Sequence, residues 1–289
     1  MTHSRSKMPK SPLVFVLGHP LDHSLSPAMQ NAALRYLGIP WNYLPLDIEK
    51  GQLGPVLSWM KEFKLVGANV TVPYKEDVMP FLDQVEPNAK WLGSVNTIYW
   101  KGSKLCGTST DGEGFLRSLG PWRARLKGST GLLLGAGGAA RAVAGALAQS
   151  GVKSLSIANR SSRRATLLRQ KLKKGYHRLE TATLSLSEAE RSLGRFDWVI
   201  QATSIGLKKG ESSPLALRQA RRSMWVVDLI YHRETAFLKE ARERGLPRLG
   251  GLGMLLHQGA LSFSLWTGRK APLRIMERAL RVQLSKRKG

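Results

Sequence analysis

Residues 130–151 read TGLLLGAGGAARAVAGALAQSG: a short apolar run, a glycine-rich turn, and an alanine-rich segment that stops at Gly151. An unbroken apolar run predicts a strand that is covered on both faces of its sheet. Alanine is the strongest helix former, so the segment after the glycines predicts a helix. This stretch therefore predicts a strand–turn–helix unit of an open, mostly parallel α/β sheet.

The turn within this stretch, GAGGAAR at residues 135–141, fits the G-x-G-x-x-A form of the dinucleotide-binding fingerprint. Gly135 provides the tight turn, Gly137 lets the backbone approach a pyrophosphate, and Ala140 allows close helix packing. Phosphates would then lie at the helix N-terminus, where amide groups and the helix dipole favour an anion. A glycine triplet on its own also suits a purely structural turn, but its strand–turn–helix context favours dinucleotide binding.

The end of the next predicted strand, ANRSSRRA at residues 158–165, indicates which dinucleotide is bound. NAD-binding proteins usually place an Asp or Glu about 20 residues after the glycines to hold the ribose hydroxyls, and this segment has no carboxylate. Arg160 and Arg164 would instead bind a 2′-phosphate. Asn159 and Ser161 add hydrogen-bonding groups at the same place. Arginines at a helix start oppose the helix dipole, so an anion between them, and hence NADP, is favoured over a merely exposed basic surface.

The rest of the chain alternates predicted strands and helices in the manner of an α/β protein. LVFVL at residues 13–17 predicts the first strand, and residues 26–38 predict a helix. This helix should have Ser26 as its N-cap and Gly38 at its C-terminal end. SVNTIYW and KLCGTST, within residues 94–110, predict a hairpin. Further apolar strands and amphipathic helices follow, and the C-terminal part predicts two helices.

Length and composition define the class of protein. The 289 residues, 42% of them hydrophobic, suffice for two domains, and no apolar run approaches the roughly 20 residues needed to cross a bilayer. The single cysteine, Cys106, excludes an intramolecular disulfide and a multi-cysteine zinc site. This favours a reducing, cytoplasmic location and a core role for the thiol. The basic N-terminus reads as a tail before the first strand, not as a secretory signal.

The formal net charge of +25 is large and uneven. Residues 1–120 contain 12 Lys and Arg against 10 Asp and Glu, whereas residues 121–289 contain 33 against 10. Such a basic half is compatible with nucleic acid, an anionic membrane or anionic ligands. The cations recur between apolar residues at helical spacing, as in RRATLLRQKLKK, and not in one stripe interleaved with aromatics. This pattern favours a solvated basic surface, so neither nucleic acid nor membrane is expected as a partner.

Nine stretches of the chain, taken in order, resemble the shikimate dehydrogenases. They are GHPLDHSLSPAMQNAA, GANVTVPYK, GSVNT, GTSTDGEG, GAGGAAR, NR, QATSIG, DLIY and GLGMLLHQGALSF…WTG. The resemblance implies reversible reduction of 3-dehydroshikimate by NADPH, in the biosynthesis of chorismate and the aromatic amino acids. It also implies an α/β substrate-binding domain at residues 1–112, a Rossmann-type doubly wound NADP-binding domain at residues 113–247, and C-terminal helices at residues 248–289 that return to the first domain.

The resemblance assigns substrate binding to six polar residues: Ser24, Ser26, Thr71, Asn96, Tyr231 and Gln258. The two serines of HSLSP are spaced to receive a carboxylate, although Ser26 also reads as a helix N-cap. Thr71 and Asn96 lie near predicted strand ends, where they suit hydroxyl recognition or ordinary turn hydrogen bonds. Gln258 falls in an apolar helical stretch, where a buried amide is costly unless a ligand or a neighbour satisfies it.

Lys75 follows a predicted buried strand and Pro73 in NVTVPYKED, and Asp111 lies in GTSTDGEG. Spacing alone favours an ordinary salt bridge between two domain edges. The resemblance implies instead that Lys75 is the catalytic acid/base, because the alkoxide formed when a ketone accepts a hydride must take up a proton. Asp111 would tether the ammonium group and a substrate hydroxyl.

For the cofactor, the resemblance implies contacts from three strand ends and the C-terminal part: Gly135, Ala136, Gly137, Gly138, Ala139, Asn159, Arg160, Ser161, Arg164, Thr203 and Met254. Tyr231 and Met254 are expected where the two domains face each other. Two places depart from the family: Ser109 replaces the usual Asn before TD, and YHRET lacks a proline and is one residue shorter. The first is expected to shift Asp111 and weaken substrate binding, and the second to reshape the loop beside the nicotinamide.

Three alternative functions remain. A quinate/shikimate dehydrogenase with relaxed cofactor use shares the fold, although such enzymes tend to carry an acidic residue after the second strand. A basic nucleic-acid-binding protein on the same fold would bind with a steep dependence on salt. A non-catalytic NADP sensor would not need Lys75 and Asp111. No spacing of His19, His23 and His257 predicts a metal site, and the expected partner is a small-molecule substrate bound by a monomer or homodimer.

Overall fold

The computed structural model describes residues 12–287. The predicted N-terminal tail at residues 1–11 and the last two residues of the C-terminal tail lie outside this range. Two six-stranded sheets and their helices make up the fold, which is therefore of the predicted α/β class. Between residues 12 and 287, no helix is long and apolar enough to span a membrane.

The first sheet has the strand order β2-β1-β3-β5-β6-β4. Its strands are β1 (Leu13–Gly18), β2 (Asn42–Asp47), β3 (Gly67–Val70), β4 (Gln84–Val85), β5 (Thr97–Lys101) and β6 (Lys104–Thr108), and the helices in this part are α1 (Ser26–Tyr36), α2 (Leu53–Glu62), α3 (Pro87–Leu92) and α4 (Asp111–Ser118). β1 runs parallel to β2 and β3, whereas β5 runs antiparallel to β3 and β6. The predicted hairpin of β5 and β6 is confirmed, and Cys106 is buried within it as predicted.

The start of α1 differs from the prediction that Ser26 is its N-cap. Leu25 already has helical backbone angles (φ −98°, ψ −6°), so the helix begins one residue earlier than predicted and Leu25 occupies the cap position. No side chain caps this helix. Ser26 lies inside the first turn, where the Ser24 hydroxyl accepts a hydrogen bond from its backbone N–H at 3.4 Å. The predicted end of the helix is confirmed, because Gly38 follows it with a φ of 62°.

The second sheet is entirely parallel and has the order β12-β11-β10-β7-β8-β9. Its strands are β7 (Thr130–Leu134), β8 (Ser154–Ala158), β9 (Glu180–Leu184), β10 (Trp198–Gln201), β11 (Trp225–Asp228) and β12 (Arg248–Leu249), and its helices are α5 (Gly138–Gln149), α6 (Ser162–Gly175), α7 (Leu186–Arg191) and α8 (Ala236–Glu243). This is the doubly wound order of the Rossmann fold. Its strand order reverses between β7 and β10, where such sheets bind ligands beyond the carboxyl ends of the strands.

The chain ends with α9 (Leu252–Thr267) and α10 (Leu273–Lys286), which return to the first sheet as predicted. Phe263, Met276 and Leu280 from these helices are buried in one core cluster with Leu25 and Met29 from the start of the chain. We call the first sheet, α1–α3, α9 and α10 the N-terminal lobe, and the second sheet with α5–α8 the central lobe.

Helix α4 lies between the two lobes, packed against both α5 and α9. A Cβ atom on Gly112 would stand 2.9 Å from the carbonyl oxygen of Ala142 in α5. A Cβ atom on Gly114 would stand 2.6 Å from the backbone nitrogen of Gln258 in α9. The two glycines of DGEG therefore permit close packing on both sides, and this packing places Asp111, the first residue of α4, at the junction of the lobes.

Candidate active site

Lys75 and Asp111 form an ion pair at this junction. Lys75 Nζ lies 2.5 Å from Asp111 Oδ2, although the two residues are 36 positions apart in the sequence. The side chains are only 13% and 4% exposed, respectively. The structure therefore brings together the two residues proposed for proton transfer, with the ammonium group at the more accessible end of the pair.

Asn96 connects this pair to α9. Its Nδ2 donates hydrogen bonds to Asp111 Oδ1 at 2.9 Å and to Gln258 Oε1 at 3.1 Å. Its Oδ1 accepts a hydrogen bond from the backbone N–H of Thr110 at 2.8 Å. Asn96 is buried and Gln258 partly buried. Of the six predicted substrate-binding residues, Asn96 therefore contacts Asp111 directly, and Gln258 is connected to it through Asn96.

Ser24, Ser26 and Thr71 follow the carboxyl ends of β1 and β3. These strands are parallel neighbours, so the segments that leave them emerge at the same edge of the sheet. A Cβ atom on Gly18, the last residue of β1, would stand 2.4 Å from Thr71 Cγ2, which shows how closely the two segments approach. Lys75 comes from the same segment as Thr71, so these polar groups share one edge with the Lys75–Asp111 pair.

The glycine turn in the central lobe has the geometry that a dinucleotide requires. Gly135 has a φ of 115°, and a Cβ there would meet the carbonyl oxygen of Ala202 at 2.9 Å. A Cβ on Gly137 would meet no atom within 4 Å, so the backbone faces open space at this point. Gly137 is also the N-cap of α5, and glycine has no side chain that could bond the amide groups at the start of this helix. The helix N-terminus is thus accessible to a pyrophosphate. Thr203, two residues after β10, lies close to the turn, because a Cβ on Gly135 would stand 3.3 Å from its backbone nitrogen.

The residues that are predicted to bind a 2′-phosphate lie close together at the end of β8. Asn159 Nδ2 donates a hydrogen bond to the Ser161 carbonyl at 3.0 Å, and Ser161 is the N-cap of α6. The Ser161 hydroxyl accepts a 3.4 Å hydrogen bond from the Arg164 backbone N–H, which leaves its own proton available for an anion. Arg160 and Arg164 are exposed beside it. Residues 158–165 thus fit the phosphate of NADP.

The two halves of the site touch through Gly138. A Cβ atom there would stand 2.9 Å from Ser94 Oγ and 3.1 Å from Lys75 Cβ, so only glycine lets the fingerprint turn pack against the lysine segment. A second contact follows within one helical turn, where Arg141 Nη1 lies 2.9 Å from Glu76 Oε2. The lysine is therefore held against the same turn that is predicted to bind the cofactor.

Tyr231 and Met254 lie where the lobes face each other, as predicted. Tyr231 follows β11 of the central lobe but packs against the core cluster of the N-terminal lobe. Burial raises the pKa of its phenol, and Arg287 opposes this with a smaller effect. Met254 belongs to α9 but is buried in the core cluster of the central lobe.

Ser109, which replaces an asparagine of the family pattern, leaves Lys75 and Asp111 in contact. Its hydroxyl is buried and has no hydrogen-bond partner among residues 12–287. Asp111 nevertheless accepts hydrogen bonds from both Lys75 and Asn96. The expected effect of Ser109 on substrate binding stays a prediction.

The shortened segment YHRET forms a contact between the lobes. His232 stacks on His23 with the ring centroids 5.1 Å apart and the planes 6° from parallel, and His232 Nε2 lies 3.1 Å from the Leu207 carbonyl oxygen. Burial lowers the pKa of His232. The positive charges of Arg233 and Arg287 and the His23 ring add to this, and the Leu207 carbonyl opposes it.

We expect this stack to make substrate binding dependent on pH. A histidine whose pKa is lowered by burial stabilises the stacked arrangement above its ordinary pKa of 6.5, and that contribution is lost as the pH falls through its lowered pKa. The KM for the substrate should therefore rise severalfold between pH 7 and pH 5.5. In His232→Phe, which can stack but cannot titrate, this rise should be absent. Steady-state kinetics across this range provide the test, and identical profiles for both proteins would exclude the stack as the cause.

Asp228 supports the loop that carries Tyr231. It is fully buried at the end of β11 and accepts hydrogen bonds from the Thr235 hydroxyl at 2.6 Å and the Ile230 N–H at 2.9 Å. Burial raises its pKa to about 6, and the two hydrogen bonds oppose this. Burial of this carboxyl group therefore costs free energy chiefly when the group is ionised.

This shift predicts how stability depends on pH. A raised pKa contributes stability below the ordinary value of 3.8, and this contribution is lost as the pH rises through about 6. The difference in unfolding free energy between Asp228→Asn and the wild type should therefore change by about 2–3 kcal/mol in favour of the variant as the pH rises from 4 to 7. Urea denaturation at both pH values measures the change. The exposed Asp77→Asn serves as control, and an equal change there would contradict the assignment.

Family models match the chain in three consecutive segments. Residues 16–98 match the shikimate dehydrogenase substrate binding domain, residues 120–236 match shikimate / quinate 5-dehydrogenase, and residues 251–281 match the shikimate 5′-dehydrogenase C-terminal domain. The shikimate dehydrogenase (NADP(+)) of Moorella thermoacetica is 45% identical over 284 residues, which cover 96% of this chain and 95% of that protein. The chain belongs to the shikimate dehydrogenase family.

Solved structures of shikimate dehydrogenases share the two-lobed architecture. One, determined in complex with NADP+, is 34% identical and aligns with a TM-score of 0.88 over 95% of this chain and 96% of that one. The enzyme from Thermus thermophilus, in complex with NADP(H) and shikimate, is 38% identical and aligns with a TM-score of 0.83 over 94% of this chain and 99% of that one. The resemblance inferred from nine short stretches therefore extends to the whole fold.

Proposed function

We infer that this chain is an NADP-dependent shikimate dehydrogenase that reversibly reduces 3-dehydroshikimate to shikimate. One observation carries the inference: the buried Lys75–Asp111 pair lies directly against the fingerprint turn at Gly138. A group that can transfer a proton and a turn that suits a dinucleotide thus meet at one point between two lobes. Family membership supplies the substrate class that such a site serves.

The proposed mechanism separates hydride transfer from proton transfer. Bound NADPH supplies the hydride that adds to the ketone carbon of 3-dehydroshikimate. We propose that Lys75 donates a proton to the oxygen that becomes negative in this step, and that it removes the same proton in the reverse direction. Asp111 holds the Lys75 ammonium group in place and accepts a hydrogen bond from Asn96 at the other carboxylate oxygen. These two contacts of Asp111 therefore fix the orientation of the Lys75 ammonium group.

Substrate binding is proposed for the polar groups around this pair. Ser24 and Ser26, at the start of α1, would bind the carboxylate of the substrate. The hydroxyls of the ring would be bound by residues from four segments of the chain: Thr71, Asn96, Tyr231 and Gln258. Their positions at the edge of the first sheet and at the junction of the lobes support this assignment.

Cofactor binding is proposed for the carboxyl end of the second sheet. The turn residues Gly135 to Ala139 would receive the pyrophosphate, and Thr203 and Met254 would lie toward the nicotinamide. The adenosine 2′-phosphate would be held by Asn159, Arg160, Ser161 and Arg164. The order reversal of the second sheet between β7 and β10 supports this location, because ligands of doubly wound sheets bind there.

A spectrophotometric assay tests the function. Shikimate and quinate are each combined with NADP⁺ and NAD⁺, and reduction is followed at the nicotinamide absorbance. We expect shikimate with NADP⁺ to give the highest kcat/KM. Preference for quinate or for NAD⁺ would instead support the quinate/shikimate alternative, and no turnover together with tight, salt-dependent duplex binding would support a nucleic-acid-binding protein.

Three further points stay predictions. We propose that the substrate-binding domain ends at residue 112 and that the NADP-binding domain extends two residues past the predicted boundary at residue 247, because β12 pairs with β11. We propose a monomer or homodimer, and a reducing, cytoplasmic location in keeping with the single buried Cys106. Limited proteolysis between the lobes and light scattering of the purified protein would test the first two.

A further inference from the structure

A buried chain of hydrogen bonds lies behind the proposed catalytic pair. It runs through four polar side chains that the sequence analysis did not single out: Tyr43, Asn69, Thr97 and Ser262. They come from β2, β3, β5 and α9, and Thr97 and Ser262 are completely inaccessible to solvent. Polar groups at such positions are costly unless they are hydrogen-bonded, so their partners define their purpose.

The first two bonds of the chain have a fixed direction. The Tyr43 hydroxyl donates to Asn69 Oδ1 at 2.8 Å, and Asn69 Nδ2 donates to Ser262 Oγ at 3.0 Å. Ser262 Oγ lies 2.7 Å from Thr97 Oγ1. The Ser262 proton has acceptors within reach at Thr97 Oγ1 and at the Gln258 carbonyl oxygen, which lies 3.0 Å away, and the contact to Thr97 is the shorter of the two.

The second half carries this direction to the catalytic pair. Thr97 Oγ1 donates to Asn96 Oδ1 at 3.1 Å, and Asn96 Nδ2 donates to Asp111 Oδ1 at 2.9 Å. Every bond from Tyr43 to Asp111 can therefore point the same way, toward the carboxylate that holds Lys75. Bonds aligned in one direction polarise one another, so the last bond is strengthened by those before it.

The chain also determines which way the Asn96 amide faces. Asn96 Oδ1 accepts from the Thr97 hydroxyl and from the Thr110 N–H. These two donors keep the oxygen turned away from Asp111 and leave the Nδ2 group to face the carboxylate. A reversed amide would place its oxygen against Asp111 Oδ1 and lose both bonds.

We propose that Thr97 and Ser262 are positioning residues for proton transfer, acting through Asn96 on Asp111 and Lys75. The proposal rests on the proposed function, because it concerns the same reaction. Asn69 also contacts Asn96 directly, since its Nδ2 lies 3.0 Å from the Asn96 carbonyl oxygen. The four side chains thus fix the geometry of a reaction that none of them contacts.

The test compares Thr97→Val and Ser262→Ala with the wild type in the full-length protein. Thr97→Val keeps the side-chain shape and removes the hydroxyl, so kcat for shikimate oxidation should fall about tenfold. Ser262→Ala should lower it severalfold, and the double variant should lose little more than Thr97→Val alone because both break one chain. Thr97→Ser, which keeps the hydroxyl, should restore most of the activity. The KM for NADP⁺ should stay within twofold in every case.

Two matched controls separate positioning from packing. Thr108 is the cross-strand partner of Thr97. Within residues 12–287, the Ser264 hydroxyl bonds only the Ala260 carbonyl of its own helix, so Thr108→Val and Ser264→Ala should keep wild-type kcat. Wild-type kcat in Ser262→Ala and Thr97→Val would overturn the proposal, as would equal losses in the controls or a parallel loss of NADP⁺ affinity. If Thr97→Val does not fold, Ser262→Ala alone decides in the same way. A wild-type protein that does not oxidise shikimate would instead refute the proposed function.

Discussion

Replacing Lys75 with alanine should lower kcat for shikimate oxidation by about 10²–10⁴-fold, the range by which a positioned acid or base accelerates proton transfer. In the oxidation direction, the variant lacks the group that is proposed to take the proton of the substrate hydroxyl, at the point where Asp111 now holds it. The affinity for NADPH should change by less than twofold, because the cofactor is proposed to bind through the backbone of the fingerprint turn. Steady-state kinetics and fluorescence titration with NADPH measure the two quantities.

A second variant separates the loss of the Lys75 amine from a loss of stability. Lys75→Ala leaves the buried Asp111 carboxylate without its cation, which can destabilise a protein by several kcal/mol. Lys75→Ala/Asp111→Asn removes that charge as well, and it should be no more active than Lys75→Ala because the two residues act as a unit. The exposed Lys90→Ala serves as control and should keep wild-type kcat. Wild-type turnover in Lys75→Ala would refute the role proposed for this lysine.

The second large effect is expected at Arg160. A hydrogen bond to a charged group contributes about 1.5–3 kcal/mol, so Arg160→Ala should lower kcat/KM for NADPH by roughly 10–100-fold and leave kcat/KM for NADH nearly unchanged. Lys173→Ala removes an exposed cation from the far end of α6 and should leave the preference intact. Equal losses with both cofactors would mean that Arg160 does not bind the 2′-phosphate.

The sequence was sufficient for features whose signal is local. The apolar run before Gly135 forms a buried parallel strand, and the turn has the positive φ that its glycine predicts. Strands as short as β4 and β12, with two residues each, show no periodicity and were not predicted. The N-cap at Ser26 was wrong because the neighbouring Leu25 adopts helical angles, which its residue type does not reveal.

The site was predictable only where a motif marked it. Lys75 and Asp111 were identified from their motifs, and spacing alone allowed just a salt bridge, which the structure also contains. Asn69 and Ser262 lie inside two of the nine stretches, GANVTVPYK and GLGMLLHQGALSF, but the resemblance assigned no role to either of them. One signal was available: Ser262 lies four residues after Gln258, so both occupy one face of the helix.

The return of α9 and α10 to the first sheet has a consequence for synthesis on the ribosome. All strands of the central lobe have been made once residue 249 has emerged, but α1 still lacks the partners that cover Leu25 and Met29. The half of the molecule that is translated first is thus the last to be completed. Until residues 252–286 are available, the nascent chain presents an apolar surface that chaperones recognise.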